Sequence, residues 1–268
     1  MPVKKLIIVL LSLISFEVSA QVTDTTKKKV VDTVKKDILT APDTVKKLHT
    51  NPLSLVPPAA MITYGVLSFP VHPIRRFDFY VHSGIAKSDS TFSTKAESYF
   101  QFAPVILVYG LNLVGIPGKN RFIDRTVLLG MSGSIVAISA GLTKHISHRL
   151  RPNHGDYLSF PSGHTATAFM GAEFMAQEYD AKSVWYGIAA YGIATTTGIF
   201  RMYNRDHWFS DVVAGAGFGI LSTKLAYLTY PYIRNWLTHR DKNGNKKSML
   251  LMPTYQDGVP GMSFAKVF

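Results

Sequence analysis

The sequence predicts an all-α protein, a six-helix bundle embedded in a membrane behind an N-terminal export signal and a basic linker. Three observations carry this. Stretches 98–118, 126–143 and 183–200 contain no Asp, Glu, Lys or Arg, and the last two are 18 residues long, near the roughly 20 that span a bilayer. Small residues recur in them (Gly130, Gly133, Ser134, Ala137 and Ala140; Ala189, Ala190 and Ala194), which lets helices approach closely. Period-two alternation of the strand type is scarce before residue 248.

Taken in order, residues 1–20 read as a signal peptide. Lys4 and Lys5 form the basic start, Leu6 to Phe16 the apolar centre, and Val18-Ser19-Ala20 the small-residue cleavage site. A retained anchor is the alternative. Residues 21–50 repeat one phrase three times, beginning at Asp24, Asp32 and Asp43, each time with two lysines at the end. Too little there is apolar to bury, so a polar, Lys-rich linker is expected. The helical domain covers 51–236, with helices near 55–71, 98–116, 126–143, 163–179, 183–200 and 211–230. No element is predicted for the tail, 237–268, which is basic to Lys247 and then apolar with Pro and Gly interruptions.

Composition narrows the function. Of 268 residues 47% are hydrophobic and 17% charged, and the formal net charge is +12. Such a basic chain suits anionic lipid or phosphorylated substrates; the absence of zinc-ligand cysteines and of an interleaved basic-aromatic motif argues against nucleic acid. With no cysteine at all, disulfides, thiolate nucleophiles and Cys-ligated metals are excluded together.

Polar residues cluster at helix ends. The first cluster is Lys144 and, after six intervening residues, Arg151-Pro152; the second is Pro161-Ser162-Gly163-His164; the third is Arg201, His207 and Asp211. Singly, each has an ordinary explanation: cations flanking a membrane helix, a turn with Ser162 as N-cap, a surface pair worth a few tenths of a kcal/mol. Together they describe a phosphoryl-transfer site. A transferred phosphoryl group spreads negative charge over three oxygens, and without a metal the protein must neutralise it. Lys144, Arg151 and Arg201 supply cations, two of them guanidinium forks that match phosphate. Ser162 and the Gly163 N–H sit at a helix N-terminus, which favours an anion. His207, with Asp211 four residues on to orient it, reads as the nucleophile. His164 suits a general acid for the leaving alkoxide, and then a base that activates water against the phosphohistidine.

These three clusters, in this order and spacing, resemble the type 2 phosphatidic acid phosphatase superfamily, which also holds class A acid phosphatases and vanadium haloperoxidases. The resemblance implies that Lys144, Arg151, Ser162, Gly163 and Arg201 bind phosphate, that His164 is the acid, and that His207 and Asp211 form the nucleophile pair. It also implies no metal and no cofactor. Phe200 departs from the pattern, which often has Ser before the third-motif Arg, so no role is carried to that position. His145, His148, His154 and Asp156 lie nearby without metal-ligand spacing.

The resemblance and the uncharged helices together imply a membrane phosphatase acting on a lipid phosphate: undecaprenyl diphosphate, phosphatidate, phosphatidylglycerol phosphate or a lipid A phosphate. The alternatives are a soluble periplasmic acid phosphatase, a haloperoxidase and a non-catalytic membrane binding protein. The expected location is a bacterial-type envelope membrane with the site facing the periplasm or exterior. If all six helices spanned after an exported N-terminus, the motif loops would fall inside. Lys119, Arg121 and Arg125, with Arg234, Arg240, Lys242, Lys246 and Lys247, mark the opposite face as the inner one. A first segment lying in the interface would remove the conflict.

Overall fold

A computed structural model describes residues 31–32, 52–88, 92–238, 249–256 and 259–266. The signal and all but two residues of the linker expected before residue 51 lie outside these. Eight α-helices occur among the described residues, where six were expected. They are α1 (Val56–Leu67), α2 (His72–Ser88), α3 (Ala96–Phe100), α4 (Ala103–Leu113), α5 (Phe122–Ser147), α6 (Gly163–Tyr179), α7 (Val184–Tyr203) and α8 (Phe209–Thr238).

Two departures account for the difference. The segment expected at 55–71 stops at Leu67, and α2 leaves it at 89°. With Arg75, Arg76, Asp78, His82 and Lys87 on it, α2 did not read as apolar. The helix expected at 98–116 breaks before Pro104, whose ring and missing N–H cannot continue a helix but suit the first turn of α4. The tail, for which no element was predicted, forms an antiparallel hairpin of β1 (Met249–Gln256) and β2 (Val259–Lys266), with Met249 opposite Lys266.

Among the described residues, two helices are long and apolar enough to cross a membrane, Phe122–Ser147 and Phe209–Arg234, or three if the bent α1–α2 pair is one span. At 11 residues α4 reaches only about 16 Å, too short to cross alone. In α7 Gly, Thr and Tyr dilute the apolar residues. Only 22% of the apolar window of α5 is buried, and it exposes Ile138, Leu142 and Ile146. An outward face of that kind is stable against lipid and costly against water.

At the centre α6 packs against both α7 and α8, and α8 also packs on α1 and α5. Glycine makes the α6–α8 contact possible. A Cβ at Gly219 would stand 2.3 Å from the Ala166 carbonyl oxygen, and one at Gly215 would stand 2.5 Å from that of Ser162. At the end of the bundle away from the predicted residues, Arg125 and Glu178 form a fully buried ion pair, Nε to Oε2 3.2 Å. Glu178 also accepts from Asn120 Nδ2 and Tyr227 Oη, both at 2.6 Å, and Tyr230 hydrogen bonds to Asp124.

Candidate active site

All the predicted site residues meet at the other end of the bundle, where α5 and α7 finish and α6 and α8 begin. Lys144, near the end of α5, donates from Nζ to the Leu158 carbonyl (2.7 Å). Its Cε lies 3.7 Å from where a Gly163 Cβ would be, an ordinary contact distance, so the lysine stem runs beside the start of α6. Ser162 occupies the N-cap position of α6 without a side-chain capping bond. Its N–H donates to the Asp211 carbonyl (3.0 Å) and its Oγ shares a proton with Thr165 Oγ1 (2.8 Å). The second cluster is thereby tied to the third.

The two arginines share one acidic neighbour, Asp206. Arg151 Nε donates to Asp156 Oδ1 (2.7 Å), and its Nη1 lies 3.8 Å from Asp206 Oδ1. Arg201 is buried, with Nη1 2.8 Å from Asp206 Oδ2 and 3.1 Å from Glu97 Oε1. Arg201 Nε and Glu97 Oε2 are buried with no hydrogen-bond partner among the described residues. An unsatisfied buried donor costs about 1–3 kcal/mol, which an arriving anion oxygen would recover.

His207 is buried, and its surroundings differ from the sequence expectation in one respect. A direct hydrogen bond to Asp211 was expected from the i, i+4 spacing. That spacing brings side chains together only within a helix, and α8 begins at Phe209, after the histidine. Asp211 Oδ2 therefore stands 3.8 Å from Nδ1, while the Ser159 carbonyl oxygen is 2.6 Å away. A carbonyl only accepts, so Nδ1 carries the proton and Nε2 keeps its lone pair. Asp211 holds the same loop: Oδ2 accepts from Ser159 Oγ (2.5 Å) and the Trp208 N–H (2.9 Å), and Oδ1 from Arg149 Nη1 (2.6 Å).

His164 starts α6, with Nε2 3.5 Å from Ser98 Oγ of α3. Burial, then the charges of Arg201 and a protonated His207, hold its pKa down at about 4. Burial also lowers the pKa of His207, against the pull of Asp211. Both imidazoles are thus neutral at neutral pH. His145, His148 and His154 are exposed, and Asp156 is committed to Arg151. Among the described residues no group of three or more metal-ligating side chains converges.

Sequence reasoning missed Arg149, Ser159, Asp206 and Glu97. The signal for Glu97 was present: it is a lone acid directly before a charge-free stretch, and an ionisable residue beside apolar helix is expensive unless used.

Gathered here are three cations flanked by two neutral imidazoles, set at one end of an apolar helical bundle. Residues 125–235, which contain every predicted site residue, match the model of the PAP2 superfamily. A lipid A 1-phosphatase of Porphyromonas gingivalis is 38% identical over 140 residues, 51% of this chain and 31% of that protein. A probable lipid phosphate phosphatase 4 of Arabidopsis thaliana is 34% identical over 98 residues, 31% of this chain and 32% of that protein. The chain thus spans about a third of the length of these relatives. A solved PAP2-type phosphatidylglycerolphosphate phosphatase from Bacillus subtilis aligns over 84% of this chain and 92% of its own, at 18% identity and a TM-score of 0.32.

Proposed function

We propose that the chain is a membrane phosphatase that hydrolyses a lipid phosphate through a phosphohistidine on His207, without a metal. The observation that carries this reading is the convergence of Lys144, Arg151 and buried Arg201, its Nε lacking an acceptor, on the side of the two histidines. In the first step Nε2 of His207 attacks phosphorus and the bond to the leaving oxygen breaks, while the three cations hold the equatorial oxygens. His164 begins neutral. The charge of the bound phosphoryl group offsets the arginine field, so His164 takes up a proton from solvent as substrate binds and passes it to the leaving alkoxide. Neutral again, it accepts a proton from the water that cleaves the P–N bond, which returns His207 and releases phosphate.

The relatives' names and the apolar exposed faces of α4, α5 and α7 support a lipid substrate. Among phosphorylated lipids, the relative from P. gingivalis favours a glycolipid phosphate of the lipid A type. A tail held in hydrocarbon adds about 0.8 kcal/mol per buried methylene, binding that a soluble ester lacks. The site faces the periplasm or exterior in this reading, with the bent α1–α2 pair lying in the interface.

The test is phosphate release by the full chain in detergent, in EDTA, from lipid A, phosphatidate, phosphatidylglycerol phosphate, undecaprenyl diphosphate and an aryl phosphate. Lipid phosphates should be preferred, vanadate should inhibit, and His207→Ala should abolish turnover. Release that needs added magnesium or zinc, or a His207→Ala variant with over about a tenth of parental activity, would refute the mechanism. Equal efficiency on the aryl ester, with protein soluble without detergent, would favour an acid phosphatase.

A further inference from the structure

The geometry points to Asp78 and Arg149 as positioning residues for the nucleophile, making α2 part of the catalytic apparatus although it lies outside the segment matched to the family. This rests on the reading of His207 given above. Arg149 joins two elements distant in the chain. Its Nη2 is 2.7 Å from Asp78 Oδ2, and its Nη1 is 2.6 Å from Asp211 Oδ1. Nη1 also lies 2.8 Å from Ser210 Oγ and 3.1 Å from Ser68 Oγ. The guanidinium sits against the rings of Phe69 (5.2 Å) and Trp208 (5.9 Å), which fix its plane. Asp78 in turn accepts from Ser210, N–H to Oδ1 at 2.8 Å and Oγ to Oδ2 at 2.6 Å. Asp78, Ser210 and Asp211 are all buried, and the Arg149 side chain is 12% exposed.

Followed from the outside inward, these contacts form one chain of charge-assisted bonds. Asp78 fixes Arg149 and the first residues of α8; Arg149 fixes Asp211; Asp211 holds the Ser159 hydroxyl; and the Ser159 carbonyl holds Nδ1 of His207. Asp211 and Lys144, with Arg201, are the charged groups that act on His207, and Arg149 acts on it through Asp211. Because Arg149 carries one positive charge between two carboxylates, Asp78 sets how much of that charge is felt at Asp211. It thereby sets both where the imidazole points and how readily it takes a proton. A fork of fixed planar geometry is needed to serve both acids at once, which lysine lacks.

The experiment compares Asp78→Asn and Arg149→Lys with the parent as full chains in detergent, measuring kcat, KM, the pH profile of kcat/KM and thermal unfolding. Asp78→Asn keeps the shape and removes the charge. It should lower kcat by about 10- to 100-fold with KM little changed, since the phosphate-holding residues are untouched. It should also move the acidic limb of kcat/KM to lower pH, because the uncompensated Arg149 charge disfavours the protonated imidazole. Asp78→Glu, restoring the carboxylate, should return the limb toward its parental position. Arg149→Lys should lose kcat to a similar extent. Should Asp78→Asn fail to fold, Arg149→Lys decides, and parental kcat there overturns the inference. It is also overturned if folded Asp78→Asn keeps the parental pH profile, or loses activity only in proportion to folded protein. Failure of the phosphohistidine reading would show separately, as activity retained in His207→Ala.

Discussion

Replacing Gly215 by alanine should damage catalysis far more than stability. The added methyl group would lie 2.5 Å from the Ser162 carbonyl oxygen, 3.2 Å from Thr165 Cβ and 3.3 Å from Ser162 Cβ, where contacts of 3.4–4 Å are ordinary. The carbonyl must retreat by about 1 Å. It cannot do so alone, because it accepts the Ala166 N–H at 3.0 Å while the Ser162 N–H is bound to the Asp211 carbonyl. The shift is therefore passed to Ser162, Gly163 and His164 together. Misplacement of a reacting group by about 1 Å costs on the order of 100-fold in rate. For stability the terms oppose each other: overpacking costs about 1–3 kcal/mol, and alanine is the better helix former by about 1 kcal/mol. The net loss should stay below about 2 kcal/mol. The assay is kcat on an aryl phosphate beside thermal unfolding in detergent, with Gly192→Ala as the control, since nothing lies within 4 Å of a Cβ there. The control should be as active as the parent and equally or slightly more stable. A Gly215→Ala enzyme within about threefold of parental kcat would refute the reasoning, as would a control that fails alike.

His164→Ala should spare turnover of aryl phosphates, whose leaving groups need no proton, and suppress that of alkyl phosphates; equal losses on both would remove the general-acid role. The same histidine, with His207, should make the protein acid-labile. Both fold with pKa values below the ordinary 6.5, His164 at about 4. The unfolded chain therefore binds more protons in that window, and stability falls as pH is lowered from about 7 toward 4. The melting temperature should drop between pH 7 and pH 5, and drop less in His164→Asn. A flat profile in the parent, or an identical slope in the variant, would contradict these shifts.

The residues proposed to hold phosphate could be picked out because their chemistry is local: two guanidiniums, a lysine and a Ser-Gly turn, each at the end of an apolar run. What holds them is not local. Arg149 meets Asp78 across 71 positions, and Arg201 meets Glu97 across 104. On α2, Asp78 beside Arg75 and Arg76 has the pattern of a wet surface helix, and the close approach of α8 and of Arg149 buries it. Helix α6 was placed at both ends, its start marked by the turn Pro161-Ser162-Gly163. The 98–116 segment was not, because hydropathy outweighed Pro104 in the reading. The hairpin had its own signal, Asp257-Gly258 between two eight-residue runs, but Pro253 and Pro260 obscured the alternation.

The buried pair Arg125–Glu178 has a consequence for chemistry it never touches. Each of α5, α6 and α8 is a rod with a candidate catalytic group at one tip and a member of that polar cluster toward the other: Lys144 and Arg125, His164 and Glu178, Asp211 and Tyr227. Along α5 the two are about 28 Å apart. Sliding α5 or α6 by one residue would shift it about 1.5 Å, turn it by about 100°, and strand a charge in a dry interior at a cost of roughly 3–5 kcal/mol; sliding α8 would lose the Tyr227 bond to Glu178. The cluster works as an index pin. While the lipid around the bundle thickens, thins or flexes, the three tips stay in phase.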